Sequence, residues 1–270
     1  MRHGFVKVAA ATPKIKVADT VYNTEQIRLL MTESAAWGAR ITVFPELCIT
    51  GYTCQDLFLQ EKLIAGAKDA LMQLAEASAS IPGIYFVGLP YEINGKLYNV
   101  AAAISDGQVL GMVPKSWIPN YNEFYEMRHF ASGAELSTDV TLPDGSEVLV
   151  DREQLFVCEQ MNKLKIGVEL CEDLWTPNPP SIAHALAGAD VIVNLSASNE
   201  ITGKSAYRKE LVCGQSARLV SAYIYASAGE GESTQDLVFS GHNLIAENGR
   251  LLAESKRFGY GVIYTEIDVE

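Results

Sequence analysis

Three short motifs, far apart in the chain, carry side chains that together could break a carbon–nitrogen bond. Cys171 ends the apolar run Val168-Glu169-Leu170, Glu46 sits in Phe44-Pro45-Glu46, and Lys115 sits in Pro114-Lys115-Ser116-Trp117. An ordinary cysteine, with a pKa of about 8.5, is only a few per cent thiolate at neutral pH, so a nucleophilic cysteine needs a nearby base or cation. Glutamate supplies the first and lysine the second. Taken singly, each has a plainer reading: an inert buried thiol, a solvated loop carboxylate, a surface charge at a hairpin end. Their common placement argues otherwise, because each lies at or just past the C-terminal end of an expected strand, where side chains from different strands converge on one crevice.

Other chemistries find less support. His3, His129, His184 and His242 are scattered, with no H-E-x-x-H or paired spacing for a metal, so no metal site is expected. The five cysteines, 48, 54, 158, 171 and 213, show no C-x-x-C spacing and should be free thiols. Gly203-Lys204-Ser205 looks like the end of a phosphate loop, but Ser198 stands where that motif requires glycine. No nucleotide site is expected there.

Elements to position the three residues can be read from periodicity. The 270 residues are 48% hydrophobic, enough for one large domain spanning 1–270. With 21 basic against 33 acidic residues and a formal charge of −12, no basic stripe tracks phosphates, and nucleic acid is not an expected partner. Apolar stretches such as Val100 to Ile104 are far too short to span a membrane, and Lys7 interrupts the first one. A cytoplasmic protein without membrane contact is the expectation.

Asn23 with Gln26 resembles a capping box, followed by Ile27, Leu30, Met31 and Ala35 at helical spacing until Gly38. Ile41 to Phe44 reads as a strand, and Gln55 to about Ala79 as a long helix. Next come strands at Ile84 to Leu89, Leu97 to Ile104 and Gln108 to Val113, the last two joined by Asp106-Gly107. The second half repeats this grammar: strand 165–170, helix 181–187, strand 190–195, helix 204–220, strand 222–227, then a hairpin of 236–246 and 250–255 around Asn248-Gly249. A final strand covers 261–267. Two such halves, each with helices over one face of a mixed sheet, predict an α/β four-layer α-β-β-α sandwich. The two hairpins disfavour a doubly wound sheet.

Phe44-Pro45-Glu46-Leu47 with Gly51-Tyr52, Lys115 with Asn120 to Glu126, and Glu169-Leu170-Cys171-Glu172-Asp173-Leu174-Trp175 resemble the three signature blocks of the nitrilase, or carbon–nitrogen hydrolase, superfamily. Within it, the block Asn120 to Glu126 and the run Ala228 to Thr234 are most similar to the N-terminal glutaminase domain of glutamine-dependent NAD synthetases. The resemblance implies the same four-layer fold and a triad of Glu46 as base, Lys115 as oxyanion stabiliser and Cys171 as nucleophile. It implies glutamine as substrate, with Tyr121 and Glu172 at its α-ammonium, Trp175 walling the pocket, and Ser198 and Lys204 at its carboxylate. Lys204 stands where relatives often carry arginine, which exchanges a bidentate grip for a point charge. Glu123 is the candidate for an additional glutamate orienting the lysine. The glutaminase reaction needs no cofactor; ATP and Mg belong to a synthetase domain whose Ser-Gly-Gly-x-Asp-Ser loop does not occur here. The resemblance therefore implies ammonia supply to a synthetase partner absent from this chain, in a homo-oligomer. Other readings are an amidase acting on another small amide, and a catalytically silent assembly domain.

Overall fold

The computed structural model describes residues 4–269. Among these, sixteen strands and four α-helices are numbered here in chain order. In the first sheet, β1 (Phe5–Thr12), β2 (Ile41–Val43) and β3 (Ile84–Ile93) run parallel, and β4 (Lys96–Ser105) and β5 (Gln108–Pro114) continue antiparallel. In the second, β11 (Met161–Leu170), β12 (Val191–Ser196) and β13 (Ala222–Ser227) run parallel, and β14 (Leu244–Glu247) and β15 (Arg250–Glu254) continue antiparallel. The two halves thus share one strand grammar. β16 (Gly261–Asp268) extends the first sheet beyond β1, β8 (Ser137–Thr141) and β9 (Glu147–Asp151) extend it beyond β5, and β10 (Phe156–Cys158) edges the second sheet. A small ribbon, β6 (Asn120–Tyr121) and β7 (Phe124–Tyr125), stands apart from both.

The faces without helices pack on each other. Val8, Ala10, Val43, Phe86 and Ala101 of one sheet and Val168, Val191, Val193, Ile224 and Ile245 of the other form a continuous buried core. Helices α1 (Thr20–Ala36) and α2 (Glu61–Ser78) cover the outer face of the first sheet through Ile27, Met31, Leu71 and Leu74. Helices α3 (Ser181–Leu186) and α4 (Lys204–Leu219) cover the second, α3 through His184 against Gly167 and α4 through Val212 against Tyr223, Leu244 and Ala246. The expected α-β-β-α sandwich is the fold found. Each such wholly buried Val, Leu or Ile contributes about 1.5–3 kcal/mol relative to exposure, which explains why strands apolar on both faces lie in the inner layers.

Turn chemistry sets the hairpins. Asp106-Gly107 and Asn248-Gly249 both have positive φ at each residue, the conformation a tight two-residue hairpin needs, and Asn94-Gly95 does the same between β3 and β4. Three expectations need correction. Helix α1 begins at Thr20, capped by Asp19, whose side chain accepts from Tyr22 N at 3.0 Å; Asn23 is buried inside the helix, where it bonds Lys16 and Ile49. The long segment from Gln55 divides into a 3-10 turn, Gln55–Leu59, and helix α2. Residues 236–243 form no strand, because their backbone turns back to bond Glu200 and Ala228 instead of continuing the ladder. No described helix is long and apolar enough to cross a membrane.

Candidate active site

Each of the three chemistry-bearing side chains leaves a strand end on the inner layers. Glu46 follows β2 in a tight turn; Leu47 adopts φ +52 and the turn sits over Gly88 of β3. A Cβ at Gly88 would come within 2.3 Å of Leu47 N and 2.7 Å of Pro45 O, so only glycine permits this seat. Lys115 follows β5, and its backbone N–H bonds Asn99 O at 2.8 Å across the β4–β5 ladder. Cys171 follows β11 with φ +41, a strained conformation for a residue with a side chain, and opens the 3-10 turn Cys171–Trp175.

The side chains meet in a buried ionic cluster. Lys115 Nζ donates to Glu46 Oε1 at 2.6 Å and to Glu126 at 2.8 and 2.9 Å, with all three groups essentially inaccessible to solvent. Glu46 Oε1 also accepts from Asn99 Nδ2 at 2.7 Å, and its Oε2 from Ala197 N at 2.9 Å. Tyr52 OH donates to Glu126 Oε1 at 2.7 Å. Burial alone would lower the pKa of the Lys115 ammonium, but Glu126 and Glu46 outweigh it and hold the group charged well above the ordinary lysine range. Burial pushes the Glu126 carboxyl up to about 7, against the pull of Lys115.

Cys171 lies within electrostatic reach of this cluster. Burial pushes its thiol well above the ordinary range; Glu46, Glu126 and Glu172 add to the rise and Lys115 opposes it. The resting group is therefore a neutral thiol within electrostatic reach of the Glu46 carboxylate and the Lys115 ammonium. Such an arrangement removes the proton as the nucleophile attacks, without maintaining a thiolate beforehand.

The structure puts the lysine-orienting carboxylate at Glu126, correcting the expectation for Glu123. The ribbon of β6 and β7 turns at Asn122, which has φ +48, and Glu123 at this turn accepts from Asn199 Nδ2 at 2.5 Å. Glu126, one strand further on, begins a 3-10 turn anchored by its N–H to Pro119 O and reaches back to Lys115. Both glutamates belong to the same sequence block, and only the ribbon's turn tells them apart.

Of the remaining expected residues, Tyr121, Glu172 and Lys204 lie within electrostatic reach of Cys171. Tyr121 OH bonds both carboxylate oxygens of Glu172 at 3.0 Å, and burial raises the Glu172 pKa. Lys204, in the first turn of α4, places Nζ 5.1 Å from the Trp175 ring centre and 5.6 Å from that of Phe124, and donates to Asn199. Burial lowers the Lys204 pKa. Ser198 is buried, with Oγ 3.4 Å from Arg208 Nη2. Arg208 has no solvent exposure and also bonds Asn199 O, Glu200 and His242, which fixes the loop after β12. Among the described residues no group of three or more His, Cys, Asp or Glu is placed to hold a metal ion.

Supporting residues without an expected role include Asn99, Asp173, Tyr52 and Glu232. Glu232 accepts from Tyr52 N, Thr53 N and Thr53 Oγ1 at 2.7, 3.0 and 2.6 Å, so the loop 228–234 holds the segment that carries Tyr52. Three of these four stand in the motif blocks themselves. Asn99 does not, and an isolated asparagine in an apolar strand was its only signal.

Known proteins share this sequence and this fold. Glutamine-dependent NAD(+) synthetase of Mycobacterium tuberculosis is 41% identical over 269 residues, covering 100% of this chain and 40% of that protein. The Aquifex aeolicus protein of the same name is 30% identical over 254 residues, 94% of this chain and 41% of its own length. The chain thus spans about two fifths of these relatives. The solved glutamine-dependent NAD(+) synthetase of Cytophaga hutchinsonii superposes with a TM-score of 0.86 at 28% identity, over 98% of this chain and 43% of that one. A Nesterenkonia amidase shares the fold at a TM-score of 0.78 and 17% identity, over 100% of this chain and 93% of its own. The profile of the carbon-nitrogen hydrolase family matches residues 7–270, and the chain belongs to that family.

Proposed function

We propose that this chain hydrolyses the side-chain amide of glutamine to glutamate and ammonia through a thioester on Cys171. The observation that carries the reading is Lys115 held between Glu46 and Glu126, a cluster whose charges act on the Cys171 thiol. Glu46 takes the thiol proton while sulfur attacks the amide carbon, and the Lys115 ammonium stabilises the developing oxyanion in a site of low dielectric. Collapse breaks the C–N bond as Glu46 returns the proton to the leaving nitrogen. Glu46 then removes a proton from water, the new C–O bond displaces the sulfur, and the thiol is restored.

Glutamine is favoured over a plain amide by what surrounds the thiol. Glu172, positioned by Tyr121, suits an α-ammonium; Lys204, with Ser198 near it in sequence, suits an α-carboxylate; Trp175 supplies an apolar wall. The similarity to glutamine-dependent NAD(+) synthetases supports a role supplying ammonia to a synthetase domain that makes NAD from nicotinic acid adenine dinucleotide. A cytoplasmic homo-oligomer goes with that reading. The amidase reading draws on the shared fold of the Nesterenkonia enzyme.

Ammonia release from glutamine, asparagine and simple amides decides between them, with Cys171→Ala as control. Glutamine should be preferred and the variant inactive. Equal rates on simple amides favour the amidase, and no release from any amide under reducing conditions favours a silent domain.

A further inference from the structure

The two oxygens of Glu46 are not equivalent. Oε1 receives Lys115 Nζ at 2.6 Å and Asn99 Nδ2 at 2.7 Å, which occupies both of its lone-pair directions. Oε2 receives one donor, Ala197 N at 2.9 Å, and keeps one direction open. Asn99 is wholly buried, and the β4–β5 register that pairs Val100 with Pro114 sets it across from Lys115, so the two strands deliver their donors to the same atom.

We infer that Asn99 is a positioning residue that reserves Glu46 Oε1 as an acceptor of fixed hydrogen bonds, leaving Oε2 as the oxygen that carries the proton between Cys171, the leaving nitrogen and water. The inference rests on the hydrolytic reading above and specifies the atom through which it runs. In the first step the S–H bond breaks, the proton goes to Oε2, and the sulfur electron pair forms the S–C bond. In the second the C–N bond breaks and Oε2 gives that proton to nitrogen, which leaves as ammonia. In the third Oε2 accepts a proton from water as the C–O bond forms, and returns it to sulfur as the C–S bond breaks.

The second amide atom of Asn99 argues for a role beyond packing. Asn99 Oδ1 is buried with no hydrogen-bond partner among the described residues, a destabilising arrangement that an apolar residue of similar size would avoid. The opposite amide orientation would face Oδ1 toward the Glu46 carboxylate, so the donor must point as it does. A residue kept only for shape has no reason to leave that acceptor unpaired.

The test compares Asn99→Leu and Asn99→Ser with the wild type on glutamine, or on whichever amide the wild type hydrolyses, and on an activated p-nitrophenyl ester whose leaving group needs no proton. With the donor gone Glu46 can turn, and proton delivery to nitrogen suffers most. The expected result is a loss in kcat/KM of about 100-fold on the amide and under 10-fold on the ester, with the acid limb of the amide pH profile moved to higher pH. A merely structural role lowers both substrates together and leaves the pH profile in place, which overturns the assignment. Asn99→Ser, the milder change, serves if Asn99→Leu fails to fold. An active wild type with an unchanged amide-to-ester ratio in Asn99→Ser sinks this inference alone, whereas a wild type inactive on every amide sinks it together with the hydrolytic reading.

Discussion

Asp173 ties the turn that bears Cys171 to Trp117, two residues beyond Lys115. Its Oδ1 accepts from Trp117 N at 2.8 Å and Ser116 N at 3.1 Å, and its Oδ2 accepts from Leu170 N at 3.0 Å. One buried carboxylate thus holds the strand exits of two different sheets in a fixed relation. The positive φ of Cys171 is maintained by this clamp, because a strained conformation persists only where its surroundings over-determine it.

Asp173→Ala should therefore lower stability by about 3 kcal/mol or more, since it leaves three backbone donors without their acceptor. Thermal unfolding measures the loss. Burial pushes the Asp173 carboxyl up to about 7, above its unfolded value. The folded protein then binds the extra proton between about pH 4 and pH 7, so this group's contribution to stability falls as pH rises through that window. Asp173→Asn removes the titration, and its stability curve should slope less steeply downward there than that of the wild type.

The two glutamates of one motif should behave differently. Glu126→Gln removes a charge that holds Lys115 protonated, and should reduce kcat by about 10- to 100-fold at neutral pH. Glu123→Gln alters a contact to Asn199 and a charge acting on Lys204, neither of which touches Lys115, and should change kcat by less than about threefold. Steady-state kinetics on the preferred amide test the pair, and a larger effect at 123 would contradict the arrangement.

Gly88→Ala probes the seat of Glu46 from behind. The added methyl would lie 2.3 Å from Leu47 N and 2.7 Å from Pro45 O, so the turn must move away from β3. Overpacking at this level costs about 1–3 kcal/mol, and the shift should abolish most activity even in the folded fraction. Activity normalised to folded protein checks this.

The thiol titration has a defined sign. The Glu46 charge raises the Cys171 pKa and the Lys115 charge lowers it, so Glu46→Gln should bring the thiol pKa down and Lys115→Met should move it further up. Thiolate absorbance near 240 nm against pH, with Cys171→Ala subtracted, reads both. Glu46→Gln should have the more acidic thiol and yet turn over amide at least about 100-fold more slowly, because a thiolate without a proton carrier cannot expel ammonia.

Sequence alone determined the layers and brought forward three candidate residues. Alternating strand and helix periods with Asp106-Gly107 and Asn248-Gly249 turns specify two mixed sheets, because buried strands must be apolar on both faces and tight hairpins demand residues that tolerate positive φ. Glu46, Lys115 and Cys171 were legible because a strand end is a local feature with a local signature. The identity of the second carboxylate on Lys115 was not, since Glu123 and Glu126 differ only by a turn in a two-residue ribbon. Nor were Asn99 and Asp173, whose partners lie 53 and 56 to 57 residues away across a sheet or between sheets. Hydrogen bonds at such separations are fixed by strand register and sheet packing, which only the folded chain possesses.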